Sequence, residues 1–305
     1  MNGQYPILVT GAAGLVGRAV LRRLTALKQA FVAIDRIAVH VDGALVAAAD
    51  LTDGHRLHAL VRRQPLAGII HCGAISGPML GKDNPFSIVE TNIVGTANLL
   101  EIARIHAIPR FVFCSSCSVY GSPGNVPITE HAPLRPTSVY GASKVAGEQL
   151  VAAYSAEHRL DGVSLRLSWV YGPERTTDCL LRDMVRAAIA ERPFSRPWGK
   201  GFPRQYIHAD DAAVALVAAL GTSSLPRTEY AITGDRVDTL DEVAELVRSV
   251  FPKSIISLGS GVDPLDDLQG RIDIRAARRD LGFAPVVDLR DGIQGLAERL
   301  SSAPP

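Results

Sequence analysis

Tyr140 and Lys144 stand four residues apart in the run SVYGASK at 138–144. At that spacing two side chains lie on one face of a helix. A free phenol ionises near ~10 and is a poor base at neutral pH. A neighbouring lysine ammonium favours the phenolate. A phenolate can take the proton of a substrate hydroxyl while a hydride leaves the adjacent carbon. The opening letters SVYG recur at 118–121, and VYG recurs at 170–172, so Tyr120 and Tyr171 share the local phrase. Tyr140 differs from both in having the lysine. A hydroxyl to hold the substrate oxygen is offered by SSCS at 115–118. Pairs of tyrosine and lysine also occur by chance on solvated helices, so the chemistry depends on what surrounds this one.

A second constellation supplies that context. Thr10 leads into Gly11, Gly14, Leu15, Val16 and Gly17, with the glycines spaced G-x-x-G-x-x-G. A tight strand-to-helix turn of this kind lets backbone approach a diphosphate, and free N–H groups at the helix start hold the anion. The loop follows a strand pattern and opens a helix pattern, which is the context the motif requires. Asp35 ends the second strand pattern, eighteen residues beyond Gly17. A carboxylate there accepts hydrogen bonds from ribose hydroxyls and repels a 2′-phosphate, which favours NAD over NADP. Arg36 next door could instead greet a 2′-phosphate. Asp50 and Leu51 close the third strand pattern, where they could flank an adenine.

These residues need rigid elements to position them. Over the first 165 residues short apolar runs at 6–10, 30–34, 43–48, 67–72, 110–115 and 162–168 alternate with helical patterns at 14–28, 53–63, 85–106 and 138–158. Such alternation predicts βαβ units, hence an α/β fold with a doubly wound parallel sheet. Asn84 and Pro85 form a helix start, as cap and first helical residue. Beyond about residue 170 the pattern loosens into Pro-, Gly- and Arg-rich stretches. A helix at 210–221, capped by aspartate and closed by Gly221, then two more around 239–250 and 288–300, predict a second, smaller mixed α/β lobe. The expected division is a dinucleotide-binding domain at 1–170, with 205–234 returning to it. The smaller substrate lobe takes 171–204 and 235–305. SSAPP at the end reads as a frayed tail.

Composition narrows the class. Of 305 residues 47% are hydrophobic and the formal net charge is +1, with no basic blocks, so no nucleic-acid or anionic-membrane footprint is visible. No apolar run approaches the ~20 residues that span a bilayer. The first residues show no signal peptide, and a cytoplasmic location is the default expectation. Cys114 and Cys117 form a C-x-x-C that could be a redox pair; the plainer reading is two thiols at the end of a buried strand. No second pair exists for a four-thiolate zinc site, the eight histidines form no ligand motif, and no metal is expected.

The chain resembles the extended short-chain dehydrogenase/reductases, in particular their NAD-dependent epimerase/dehydratase branch, which have a Rossmann fold. The resemblance rests on VTGAAGLVG, HCGA, ETNIVGTANLLE, FCSSCSVYG, SVYGASK, LRLSWVYGP, RQYIHADDAA and DIRAARRDLGFAP, in that order over nearly the whole length. It implies Tyr140 as base, Lys144 as its partner and contact to the nicotinamide ribose, and Ser116 as the hydroxyl donor. It implies that Cys72, Gly73, Ala74 and Asn92 line the cofactor. It implies substrate contacts from Ser76, Ser116, Ser118, Trp169, Arg175, Arg204 and Arg271. Tyr120 and Tyr171 become scaffold. A homodimer through the helices at 85–106 and 138–158 is also implied.

The chain departs from the family pattern in two places. Dehydratases carry acidic residues just after the active-site hydroxyl, where Cys117 and Ser118 stand here, so loss of water lacks its general acid. Trp169 replaces an asparagine that in relatives helps hold a nucleotide diphosphate. The expected reaction is NAD-dependent hydride transfer at a secondary alcohol of a carbohydrate-type substrate, as in a sugar or sugar-nucleotide epimerase. A net dehydrogenase of a small sugar, lactone or sugar acid uses the same residues. A non-catalytic dinucleotide sensor has no need of the Tyr–Lys pair.

Overall fold

The apolar runs at 6–10 and 67–72 become β1 (Ile7–Thr10) and β5 (Gly68–His71), whose residues are all buried. Strands buried on both faces need a parallel sheet covered by helices, and that is what forms. The computed structural model describes residues 5–302 apart from Asp178 and Leu265; the end of the expected tail, 303–305, lies outside them. The remaining strands are β2 (Phe31–Asp35), β3 (Val39–Val41), β4 (Ala44–Ala48), β6 (Arg110–Ser116), β7 (Asp161–Leu167), β8 (Trp169–Tyr171), β9 (Phe194–Lys200), β10 (Pro203–Arg204), β11 (Tyr206–His208), β12 (Glu229–Ile232), β13 (Asp238–Thr239) and β14 (Ile256–Ser260). The main sheet has the order β12-β7-β6-β5-β1-β2-β4-β3. All its neighbours pair in parallel except β3, which runs antiparallel to β4. The strand order reverses beside β1, and the carboxyl ends of β1 and β5 flank that switch point.

The helices are α1 (Leu15–Ala26), α2 (Gly54–Val61), α3 (Pro85–Ile88), α4 (Gly95–Ile105), α5 (Val139–His158), α6 (Leu180–Ile189), α7 (Ala209–Gly221), α8 (Leu240–Val250), α9 (Arg275–Leu281) and α10 (Leu289–Ser302). Asn84 caps α3 by accepting from Ser87 N at 3.3 Å, with Pro85 first, as its sequence predicts. Between α3 and α4 the helix widens into a π-helical turn, Val89–Val94. α7 differs from expectation at its start. His208, not an aspartate, is the capping residue, with Nδ1 accepting from Asp210 N at 3.3 Å. Asp211 instead accepts from Val286 N and Val287 N, both within 3.2 Å, and ties α7 to the chain entering α10.

Two apolar layers sandwich the sheet. One joins α1 and α7 to the β1 face through Val20, Leu24, Val163 and Leu216; the other joins α2 and α4 through Leu57, Leu99 and Phe111. Each fully buried aliphatic side chain contributes about 1.5–3 kcal/mol. A third core of Leu181, Met184, Val243, Val247, Ile293 and Leu296 holds α6, α8 and α10 together as the smaller lobe. Ala276, Ala277, Leu281 and Phe283, which the sequence places in that lobe, pack with α7 against the main sheet. Among the described residues no helix is long and apolar enough to cross a membrane.

Candidate active site

The glycine loop passes from β1 to α1 against the end of β5. Gly11 has φ +64°, and a Cβ there would lie 2.6 Å from Gly73 Cα. A Cβ on Gly17 would lie 2.1 Å from Gly11 O. Both close approaches exclude side chains, so the loop is a bare backbone cradle. Gly14 begins α1 with no side-chain cap, which leaves the first-turn amides of Leu15, Val16 and Gly17 to an anion. These residues fit the diphosphate of a dinucleotide.

Asp35 ends β2 against this loop. Its Oδ2 accepts from Ala13 N at 3.0 Å, and Oδ1 accepts from Arg36 N at 2.7 Å. Arg36 is exposed. Asp50 is exposed and accepts from Thr52 N and Thr52 Oγ1 at 2.9 and 2.8 Å, which holds its carboxyl below the usual carboxylate range. Leu51 is buried beneath Gly73 and Gly95.

Tyr140 and Lys144 occupy the first turns of α5. Ser138 caps that helix by accepting from Gly141 N at 3.1 Å. A Cβ on Gly141 would lie 2.7 Å from Ser118 O, so the start of α5 sits directly on the turn that follows β6. That turn carries the serines: Ser116 Oγ accepts from Ser118 N and donates to Ser118 Oγ, each at 3.1 Å. Lys144 Nζ donates to Cys114 O at 2.7 Å and lies 5.8 Å from the centroid of the Tyr140 ring. Both side chains are buried.

A buried chain of hydrogen bonds joins the glycine loop to α5. Gly73 N donates to Thr10 Oγ1 at 3.2 Å, and Thr10 Oγ1 meets His71 Nδ1 at 2.7 Å. His71 Nε2 meets Thr96 Oγ1 at 3.0 Å, and Thr96 Oγ1 donates to Asn92 O at 2.5 Å. With the Thr96 proton spent on Asn92 O, the imidazole proton belongs on Nε2, and Nδ1 accepts from Thr10. Burial, reinforced by the charge of Lys144, pushes His71 down to about 3, so the ring stays neutral. Asn92 Nδ2 donates to Ser143 Oγ at 2.9 Å and to Ile75 O at 3.1 Å, while its Oδ1 accepts from Ile75 N at 2.8 Å. Ser143 Oγ donates to Tyr140 O at 2.7 Å. Asn92 thus braces both the loop after β5 and the helix bearing Tyr140, from a π-helical turn that turns it inward.

The other two tyrosines have structural contacts. Tyr120 Oη accepts from Arg166 Nη1 at 3.0 Å, and Arg166 forms a buried ion pair with Glu148 at 2.7 Å. Tyr171 packs edge-on against Tyr206 and His208. Burial pushes both phenols up, which suits neither to proton transfer. Cys117 Sγ donates to Arg166 O at 3.4 Å, and the Cys114 thiol lies beside Cys72, just past the end of β5; all four cysteines are free. The two thiols of the C-x-x-C thus engage different partners.

The residues expected to face substrate are less uniform. Ser76 is exposed in the loop after β5. Trp169 lies under Arg204, whose guanidinium carbon is 4.0 Å from the ring centroid. Arg204 is buried and ion-paired with Asp263 and Asp266. Arg175 Nη1 donates to Val170 O at 2.6 Å, and Arg271 Nη2 donates to Asp235 O at 3.3 Å on the surface. Sequence reading missed Thr10, His71, Thr96 and Ser143, although all four sit inside motifs already singled out. It also missed Asp263, Asp266 and Gln269, whose stretch of mixed Asp, Pro and Gly carries no spacing signal.

Fold and site define a dinucleotide-binding α/β protein with a tyrosine–lysine pair at the carboxyl edge of its sheet. The model of the NAD dependent epimerase/dehydratase family matches residues 7–232, and the chain belongs to that family. Among its relatives, a UDP-glucose 4-epimerase of Streptomyces lividans is 31% identical over 93% of this chain and 92% of its own. A dTDP-glucose 4,6-dehydratase of Streptomyces griseus is 31% identical over 94% and 91%. The structure of a Thermus thermophilus UDP-glucose 4-epimerase in complex with NAD superposes with a TM-score of 0.87, at 26% identity, over 98% of this chain and 99% of that one. The protein is an enzyme of this family and NAD is its cofactor.

Proposed function

We propose that the enzyme is an NAD-dependent epimerase acting at a secondary alcohol of a carbohydrate-type substrate. The observation that carries this reading is the placement of Tyr140 and Lys144 on one helix face, seated against the Ser116–Ser118 turn. Gly11, Gly14, Leu15, Val16 and Gly17 hold NAD, with Asp35 toward its ribose, and the bound cofactor supplies reversible hydride acceptance. Ser116 Oγ holds the substrate oxygen, and Tyr140 Oη takes its proton and gives it back. Lys144 favours the phenolate and is itself fixed by Cys114 O. Asn92, through Ile75 and Ser143, keeps the two walls of the crevice in register. The Cys117–Ser118 pair offers no carboxyl group to expel water, which supports epimerisation over dehydration.

The protein is further proposed to act in the cytoplasm as a homodimer, paired through the helices at 85–106 and 138–158, which expose the apolar side chains Phe86, Val94, Ile105 and Val139. Sedimentation as a monomer at micromolar concentration would remove that pairing. The catalytic reading is tested by incubating NAD-loaded protein with candidate sugars and sugar nucleotides. It expects a new epimer to appear with no net accumulation of NADH. Stoichiometric NADH release with an oxidised product would show a dehydrogenase instead.

A further inference from the structure

Lys144 is 4% exposed, and among the described residues it forms no ion pair with a carboxylate. An ammonium taken out of water is costly unless other groups replace that water. It has three donors, and Cys114 O takes one of them at 2.7 Å. Two aromatic rings also lie within reach. Nζ sits 4.8 Å from the centroid of Phe113, over the ring, and 5.8 Å from that of Tyr140. The negative face of an aromatic ring attracts a cation within about 6 Å, and more strongly where water is excluded.

Phe113 is fixed from several sides. It stands in β6 between His71 of β5 and Ser164 of β7, and is 1% exposed. Its ring centroid lies 5.7 Å from that of His71. Above it, Lys144 and Gly147 are three residues apart in α5 and share a helix face. A Cβ on Gly147 would lie 2.4 Å from Phe113 Cζ and 2.8 Å from Cε1. Glycine weakens a helix interior, and the ring beneath gives the reason for this one. With its tip against Gly147 and its strand paired on both sides, the ring is held with its face to the ammonium.

We propose that Phe113 is a positioning residue for hydride transfer: its ring face holds the Lys144 ammonium beside Tyr140, and Gly147 leaves room for that ring. The inference rests on the hydride-transfer reading above and adds a residue to that site. Cys114 O fixes the ammonium from one direction. The ring fixes it from a second and offsets part of its desolvation. With the face weakened, the ammonium swings toward the crevice, and Tyr140 loses the charge that favours its phenolate. Substrate binding makes no use of this contact, so the effect falls on kcat and not on KM.

The test replaces Phe113 with 3-fluoro- and 3,5-difluorophenylalanine. Both keep the ring, and its para carbon against Gly147, but drain negative charge from the face. Urea unfolding at one saturating NAD concentration is followed with Lys144 present and in Lys144→Met. The difluoro ring is expected to lower the folding equilibrium constant roughly fivefold with Lys144 and less than about twofold in Lys144→Met. Equal losses in the two backgrounds mean a size effect and overturn the proposal. With UDP-glucose as the probe, kcat should fall roughly threefold with one fluorine and roughly tenfold with two, at unchanged KM. An undiminished kcat, or a loss carried by KM, overturns it. Gly147→Ala strengthens the helix yet should lower kcat, because its methyl group displaces the ring; normal turnover there overturns the proposal too. Wild-type protein inert toward UDP-glucose and every other sugar tried would count against the hydride-transfer reading, and the unfolding comparison then decides this inference by itself.

Discussion

Around Tyr140 the crevice is held by neutral, directional hydrogen bonds, whereas around Arg204 it is held by buried charge. On the first side Thr10, His71, Thr96, Asn92 and Ser143 each donate and accept in a fixed order that ends on Tyr140 O. Neutral links of this kind fix position without placing net charge beside a transferred proton or hydride. On the second side Arg204 and two carboxylates set the potential itself. The difference is one of means: directional hydrogen bonds fix geometry around Tyr140, and buried opposite charges hold the packing around Arg204.

The comparison breaks most easily at Tyr140. Tyr140→Phe keeps the ring and removes the proton acceptor. Turnover is expected to fall by roughly 10²–10⁴ with NAD affinity little changed. Normal turnover would move the base elsewhere. A second blow falls on the neutral network. His71→Leu keeps an apolar bulk but leaves the Thr10 and Thr96 hydroxyls without their ring partner, in a place where each is fully buried. A loss of about 3 kcal/mol in urea unfolding is expected, together with a lower kcat at unchanged KM. A merely space-filling histidine would show the stability loss without the kcat loss.

The charged side predicts a pH signature. The carboxyl of Asp266 is raised from its ordinary 3.8 to about 7 by burial, opposed by Arg204, with Asp263 and Asp267 adding to the rise. Within that window the folded protein keeps a proton that the unfolded chain has released. Stability therefore falls as pH rises through the window and levels off above it. The expected loss across the window is of the order of a few kcal/mol. Asp266→Asn should flatten this slope. A slope unchanged in the variant would place the titration on another group.

The same division explains what could be read from sequence. The glycine loop and the Tyr140–Lys144 pair are short-range patterns, three and four residues apart, and each element needed to present them has a strong periodic signature. The parallel sheet followed from its buried strands. His71 was hidden because a histidine at the end of an apolar strand has no distinctive spacing; its role needs three other elements in place. The Arg204 cluster draws on positions 169, 204, 263 and 266, brought together by β8, β10 and a loop of the smaller lobe. Nothing along the chain sets those distances. The short strand β3 was also illegible, since its residues pair only with β4 at the sheet edge.

The smallest expected effect tests whether Asp35 belongs to the cofactor side at all. Its carboxylate is already engaged, accepting from Ala13 N at 3.0 Å and Arg36 N at 2.7 Å, so it could be no more than a clasp on the glycine loop. A carboxylate has acceptor positions left after two such bonds, and ribose hydroxyls can fill them. Asp35→Ala removes that acceptance and the repulsion of a 2′-phosphate, beside an exposed Arg36 able to meet one. The ratio of NAD to NADP affinity is expected to drop roughly tenfold, about 1.4 kcal/mol. A clasp would behave differently: loosening the loop should weaken both cofactors together and leave the ratio where it was. Parallel titrations of the two dinucleotides separate these cases, and an unchanged pair of affinities would take Asp35 out of the site.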